Sequence, residues 1–177
     1  MTSHSVSEPP SPEPDPSYDI WRSPSGSILE HHFADDRWAS VLGADCMRDV
    51  LAMLDLACQT LGIPPVSLSV CWTDNISIAE LNRQFRAKDK PTNILSFASD
   101  MPDEDGELVL GYEVVTSEAE QAGISPAHHI THLILHGVLH LQGYDHHTDE
   151  DAVEMEQIET AILARLNIAD PHHGELV

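Results

Sequence analysis

The chain has 177 residues, 41% of them hydrophobic, enough for one domain with its own core. Its 30 acidic residues against eight Lys and Arg give a formal charge of −22, which on average repels a polyanion such as RNA, and no DNA partner is expected. No apolar run approaches membrane-spanning length, no basic-then-apolar leader opens the chain, and Cys46, Cys58 and Cys71 form no C-x-x-C pair. The expectation is therefore a cytoplasmic protein with no membrane partner, no disulfide framework and no thiolate metal site.

Residues 1–26 are dominated by Ser, Pro and acidic side chains, too polar to offset the entropy of ordering, and read as a disordered tail. The domain is expected over 27–168, with 169–177 as a short C-terminal tail. Ile28 to Phe33 suits a first strand and Asp35 to Trp38 a turn. From Asp45, a candidate N-cap, Met47, Val50, Leu51, Leu54 and Leu61 recur at helical spacing until Gly62-Ile63-Pro64-Pro65 stops the helix. Val66, Leu68, Val70 and Trp72 alternate with small or polar residues, the period of a strand with one buried face. A helix from about Asn75 to Phe85 is expected to turn Ile78, Leu81 and Phe85 inward.

After Pro91, Asn93 to Ala98 and Glu107 to Tyr112 read as two strands, able to pair across the acidic turn Ser99 to Gly106. Glu118 to Gly123 suits a short helix. Ser125-Pro126 opens a longer one that Gly143 ends, and Asp149 to Leu166 makes a last helix packed through Met155, Ile158, Ile162 and Leu166. The three thiols read as buried and unreactive. The sum is an α+β fold: a single domain with a small mixed sheet of about four strands packed with about five helices.

The chemistry concentrates after Ser125. His136 and His140 are four apart, so a helix projects both imidazoles from one face. Gly143 lets the chain turn back, and His146 completes H-x3-H-x5-H as a third ligand for one zinc-like ion. Three neutral nitrogens leave a tetrahedral ion one open position, where a water would have its pKa lowered to about 7. Nickel, copper or iron suit the same donors. His132 lies on the same stripe as an outer-sphere candidate. Asp145 is a candidate acceptor for a ligand imidazole, and His128, His129 and His147 read as solvated flanking residues. The pair His172-His173 reads as tail. The spacing also matches the metalloprotease pattern H-E-x-x-H-x-x-G-x-x-H, but Gly137 stands where that pattern keeps its glutamate base. Peptide hydrolysis by that route is disfavoured, and the small residue suggests room for a bulkier substrate.

Four of the eight cations, Arg83, Arg86, Lys88 and Lys90, fall within eight residues, either a solvated charged loop or a site for an anionic ligand. Two long motifs in order, Leu81-Asn82-Arg83-Gln84-Phe85-Arg86-Ala87-Lys88-Asp89-Lys90-Pro91-Thr92-Asn93-Ile94-Leu95-Ser96-Phe97 and His136-Gly137-Val138-Leu139-His140-Leu141-Gln142-Gly143-Tyr144-Asp145-His146, resemble the signatures of the YbeY family of metal-dependent endoribonucleases. The likeness runs from about Ile28 to Leu166. It departs at Asn93, Ala98 and Gly106-Glu107-Leu108, none of which is a proposed ligand.

The resemblance implies one zinc ion on His136, His140 and His146, with His136 and Arg86 in the catalytic set. It implies a single-strand-specific endoribonuclease in ribosomal RNA processing, including maturation of the 3′ end of small-subunit RNA, and in ribosome quality control. Arg86 is the expected phosphate clamp, while Arg83, Lys88 and Lys90 are expected on the RNA backbone. Water and the neighbouring ribose hydroxyl both remain candidates for the attacking oxygen. The acidic charge keeps a second class open: a zinc-containing adaptor docked on basic ribosomal proteins, or on a ribosome-associated GTPase, without nuclease activity.

Overall fold

In the computed structural model, which describes residues 18–169 and Pro171, alternation along the strands sorts side chains onto two faces of one five-stranded sheet. The strands are β1 (Tyr18–Arg22), β2 (Ile28–Phe33), β3 (Ser67–Thr73), β4 (Ile94–Ala98) and β5 (Gly106–Gly111). Their order is β1-β2-β3-β5-β4, with β2-β3 and β3-β5 parallel and the outer pairs antiparallel. On one face Leu29, Leu68, Val70, Trp72, Ile94, Leu108 and Leu110 enter the main core. On the other, Cys71, Leu95, Phe97 and Val109 form a smaller cluster with Ile78 and Leu81.

The helices are α1 (Ala44–Leu61), α2 (Asn75–Arg86), α3 (Tyr112–Ala122), α4 (Pro126–Leu141) and α5 (Asp149–Arg165). Helices α1 and α4 pack together over the main core, α3 and α5 flank α4, and α2 covers the smaller cluster. The α+β expectation therefore holds, with one strand more than expected. No described helix is long and apolar enough to cross a membrane. Cys46 and Cys58 are buried free thiols and Cys71 is half-buried.

The added strand is β1, inside the stretch read as tail. Average composition over 1–26 hides Asp19-Ile20-Trp21, yet Trp21 packs on the main core. The turn into β2 is closed by paired backbone and Ser23 side-chain hydrogen bonds to Ser27, both 2.9 Å. Gly26 supplies the φ of +104° that this turn needs. The folded domain thus begins no later than Tyr18, not at 27; residues 1–17 and most of 169–177, including His172 and His173, lie outside the described residues.

Two helix starts also differ. Helix α1 takes Gly43 as its N-cap, and Asp45 sits in the first turn, 2.7 Å from Arg48. Helix α3 begins at Tyr112, directly after β5, because Tyr112 packs edge-on against buried Trp38 at 5.3 Å. Trp38 is itself fixed by donating from Nε1 to the Thr73 carbonyl at 2.9 Å. Phe85, expected inward, is 58% exposed.

Beneath β1 and β2, His31 is fully buried and stacks with Trp72, whose Nε1–H donates to His31 Nδ1 at 2.9 Å. Burial lowers the His31 pKa to about 4, with the Asp19 charge offsetting part of the effect. The folded pKa lies below the unfolded value of 6.5, so this contribution to stability is complete above that value and is lost as pH falls toward 4. Between pH 7 and pH 5 the loss from this site is expected to be about 2 kcal/mol. Urea unfolding at the two pH values checks it: a His31→Phe chain, weaker at pH 7 because Trp72 loses its acceptor, is expected to lack that part of the slope.

Candidate metal centre

Helix α4 starts where Ser125 accepts a hydrogen bond from the Ala127 amide and Pro126 occupies the first turn. Its Ile130, Leu133, Ile134, Val138 and Leu139 are buried, which leaves His132, His136 and His140 on the remaining stripe. The helix ends at Leu141; Gly143 at φ +91° and the Tyr144 amide bonding back to the Leu139 carbonyl, at 3.0 Å, fold the loop over that stripe. His146 is carried back with it. One nitrogen from each of His136, His140 and His146 lies within 4.8 Å of the others.

The partners of these rings fix where their protons sit. Glu159 Oε1 is 2.8 Å from His136 Nδ1, and the Tyr144 carbonyl is 3.0 Å from His140 Nδ1. Both partners accept, so each Nδ1 carries the hydrogen, and in the neutral rings each Nε2 presents a bare lone pair. Those two lone pairs face each other at 3.0 Å. Two nitrogens on one tetrahedral zinc would stand about 3.3 Å apart, so the donor set suits a shared cation. His140 is held more neutral than an ordinary imidazole, by burial first and then by the neighbouring His136. A cleft of about 330 Å³, lined by His132, His136, His146, Met155 and Glu159 among others, opens beside the cluster, and His146 is 56% exposed.

Glu159 was not anticipated from sequence, where α5 reads as a packing helix. It is 1% exposed and reaches both His136 and, at 3.4 Å, His132. Burial pushes its carboxyl up, but hydrogen bonds from His132 and His136 outweigh that and hold it well below the ordinary range. The available signal was its register: four after Met155 and three before Ile162, it shares the helix's buried stripe. His132 thus meets the cluster through Glu159, and His132, His136 and Glu159 form a second group whose donor atoms lie within 4.8 Å of one another.

Other expectations are redistributed. Asp145 does not orient the His146 ring, from which it stands 3.9 Å; it accepts from the His146 backbone amide at 2.7 Å and pairs with His147 at 2.6 Å. His129 is not simply solvated but pairs with Glu118 at 2.8 Å, and Glu118 also receives Asn93 Nδ2 at 3.1 Å. Arg83 pairs with Glu80. Arg86, Lys88 and Lys90 are exposed and have no ion-pair partner among the described residues.

Gly137 faces the sheet, not the cleft. A Cβ there would meet Leu108 Cδ2 at 2.7 Å, Ser96 Oγ at 3.1 Å and Ile94 Cδ1 at 3.3 Å, so the glycine lets α4 settle on β4 and β5 rather than making room for substrate. Ser96 accordingly lies against α4 beside ligand candidate His136. A Gly137→Ala chain is expected to lose about 1 kcal/mol, crowding outweighing the gain in helix propensity, as a lower urea midpoint will show.

Residues 34–167 match the model of the family described as endoribonuclease YbeY. The endoribonuclease YbeY of Chelativorans sp. is 47% identical over 137 residues, covering 72% of this chain and 84% of the relative. That of Rhodopseudomonas palustris is 41% identical over 152 residues, covering 76% and 80%. A solution structure from Thermotoga maritima shares the fold, with a TM-score of 0.51 and 21% identity over 84% of this chain and 97% of that one.

Proposed function

The chain belongs to the endoribonuclease YbeY family, and on that premise we propose that it is a zinc-dependent endoribonuclease cutting single-stranded ribosomal RNA in the cytoplasm. One observation carries the zinc reading: the hydrogen-bond partners of His136 and His140 turn both bare Nε2 atoms onto one point beside an open cleft. When bound, the ion supplies Lewis acidity toward a phosphoryl oxygen and lowers the pKa of a coordinated water.

The chain's own groups divide the remaining work. His136, His140 and His146 hold the ion, while Glu159 and the Tyr144 carbonyl keep the first two rings in the ligating tautomer. As the attacking oxygen, from water or from the adjacent ribose hydroxyl, closes on phosphorus, charge grows on the phosphoryl oxygens, and the unpaired Arg86 guanidinium is the group to meet it. Lys88 and Lys90, with Arg83 after release from Glu80, bind backbone phosphates without reading sequence.

The charge of −22 favours one other reading, an adaptor on basic ribosomal proteins whose metal only braces a loop. The open cleft speaks against it, since structural zinc sites are closed. The deciding experiment incubates rigorously purified, zinc-loaded chain with a single-stranded ribosomal RNA fragment and analyses the product ends. Metal-dependent cutting supports the nuclease, a cyclic phosphate assigns the attack to the ribose hydroxyl, and intact RNA hands the site to the adaptor.

A further inference from the structure

Among the described side chains Phe85 is the one exposed aromatic, and burial does not explain its position. It stands at the end of α2, edge-on to half-buried Phe97 of β4 with ring centroids 5.0 Å apart. Arg86 follows it directly, and Lys88 and Lys90 lie on the loop that leads from α2 into β4. Arg37 and Arg48 are tied to carboxylates, whereas these three cations, like the isolated Arg22 and Arg165, have no ion pair among the described residues; Glu80 is engaged by Arg83, leaving Asp89 as the acid within the run.

The strand β4 links this aromatic pair to the metal centre. It pairs only with β5 and forms one edge of the sheet. Phe97 points to the α2 face and Ser96, one residue earlier, to the α4 face, where it abuts Gly137 next to His136. Phe85 and Phe97 therefore lie on the α2 side of this edge strand, while Gly137, the chain neighbour of His136, packs against its α4 side.

We propose that Phe85, propped by Phe97 and followed along the chain by the exposed Arg86, Lys88 and Lys90, is a stacking platform for one unpaired base of the RNA strand whose backbone crosses the β4 edge. The inference rests on the ribonuclease reading above. Every base offers a π-face, so an aromatic with flanking cations grips a single strand without choosing its sequence, while a base held in a duplex cannot present that face. The platform thus supplies a physical reason for preferring single strands, which phosphate contacts alone do not.

The test measures binding of full-length, zinc-loaded chain to a short fluorescein-labelled 2′-O-methyl oligouridylate, which resists cleavage, and to an abasic strand of equal length. Wild type is expected to favour the base-bearing strand about tenfold. Phe85→Leu should lose most of that preference while keeping wild-type affinity for the abasic strand and an unchanged melting temperature, and Phe85→Trp should retain it. Lys88→Ala with Lys90→Ala should weaken both strands alike. If Phe85→Leu discriminates as wild type does, the platform is overturned and the pair is packing alone. If wild type binds neither strand, the ribonuclease reading falls and the platform with it.

Discussion

An Arg86→Ala chain is expected to cleave single-stranded RNA about a hundredfold more slowly than wild type while binding zinc and melting as wild type does. The magnitude is that of removing one fixed donor from oxygens that gain charge in a transition state. The unchanged stability follows from position: Arg86 is the exposed last residue of α2 and makes no ion pair among the described residues, so its truncation releases nothing from the fold. His140→Ala should behave differently. It removes one of three converging nitrogens, so metal content, read by elemental analysis, and cleavage should fall together. The pair of variants separates roles that a single mutant confuses. Normal cutting by Arg86→Ala would remove the clamp, and normal cutting by metal-free His140→Ala would assign the activity to a contaminant.

The histidine triad was legible because its geometry is local. Helical spacing brings His136 and His140 onto one face, and a glycine two residues past the helix returns His146, with no reference to distant chain. The strands β2 to β5 and helices α1, α2, α4 and α5 were legible for the same reason, since burial imposes a period on each. What escaped depended on partners far along the chain. Glu159 looks like any helical glutamate until α5 lies against α4 and sets it on a histidine 23 positions away. Gly137 suggested space for substrate, but its direction is set by α4 docking on Leu108 and Ser96. Phe85 shares the inward spacing of Ile78 and Leu81, yet it falls at the end of α2, where it is 58% exposed and meets Phe97 edge-on. Strand β1 escaped because five strand residues were averaged into a Ser- and Pro-rich stretch.

A Glu159→Gln chain is expected to bind zinc 10–100-fold more weakly, about 1.4–2.7 kcal/mol, although Glu159 is not itself among the three converging ligands. The carboxylate does two things at His136: it accepts the Nδ1 hydrogen at 2.8 Å, which leaves Nε2 free for the ion, and its charge makes the ring a stronger donor. Glutamine keeps the shape but loses the charge, and its amide can also present a hydrogen to Nδ1, which would favour the tautomer with the proton on Nε2. A buried carboxylate that merely braced α5 against α4 would show another signature. Its replacement would lower the melting temperature of metal-free and zinc-loaded chain equally and leave the dissociation constant, read by competition with a chromogenic chelator, unchanged. The Glu159 carboxyl is held below the ordinary range by hydrogen bonds from His132 and His136 despite burial, so its contribution persists above the unfolded value of 4.5 and is lost only as pH falls through the folded one. The stabilising interaction is therefore complete at neutral pH, where the dissociation constants of wild type and Glu159→Gln should differ most directly through this one charge.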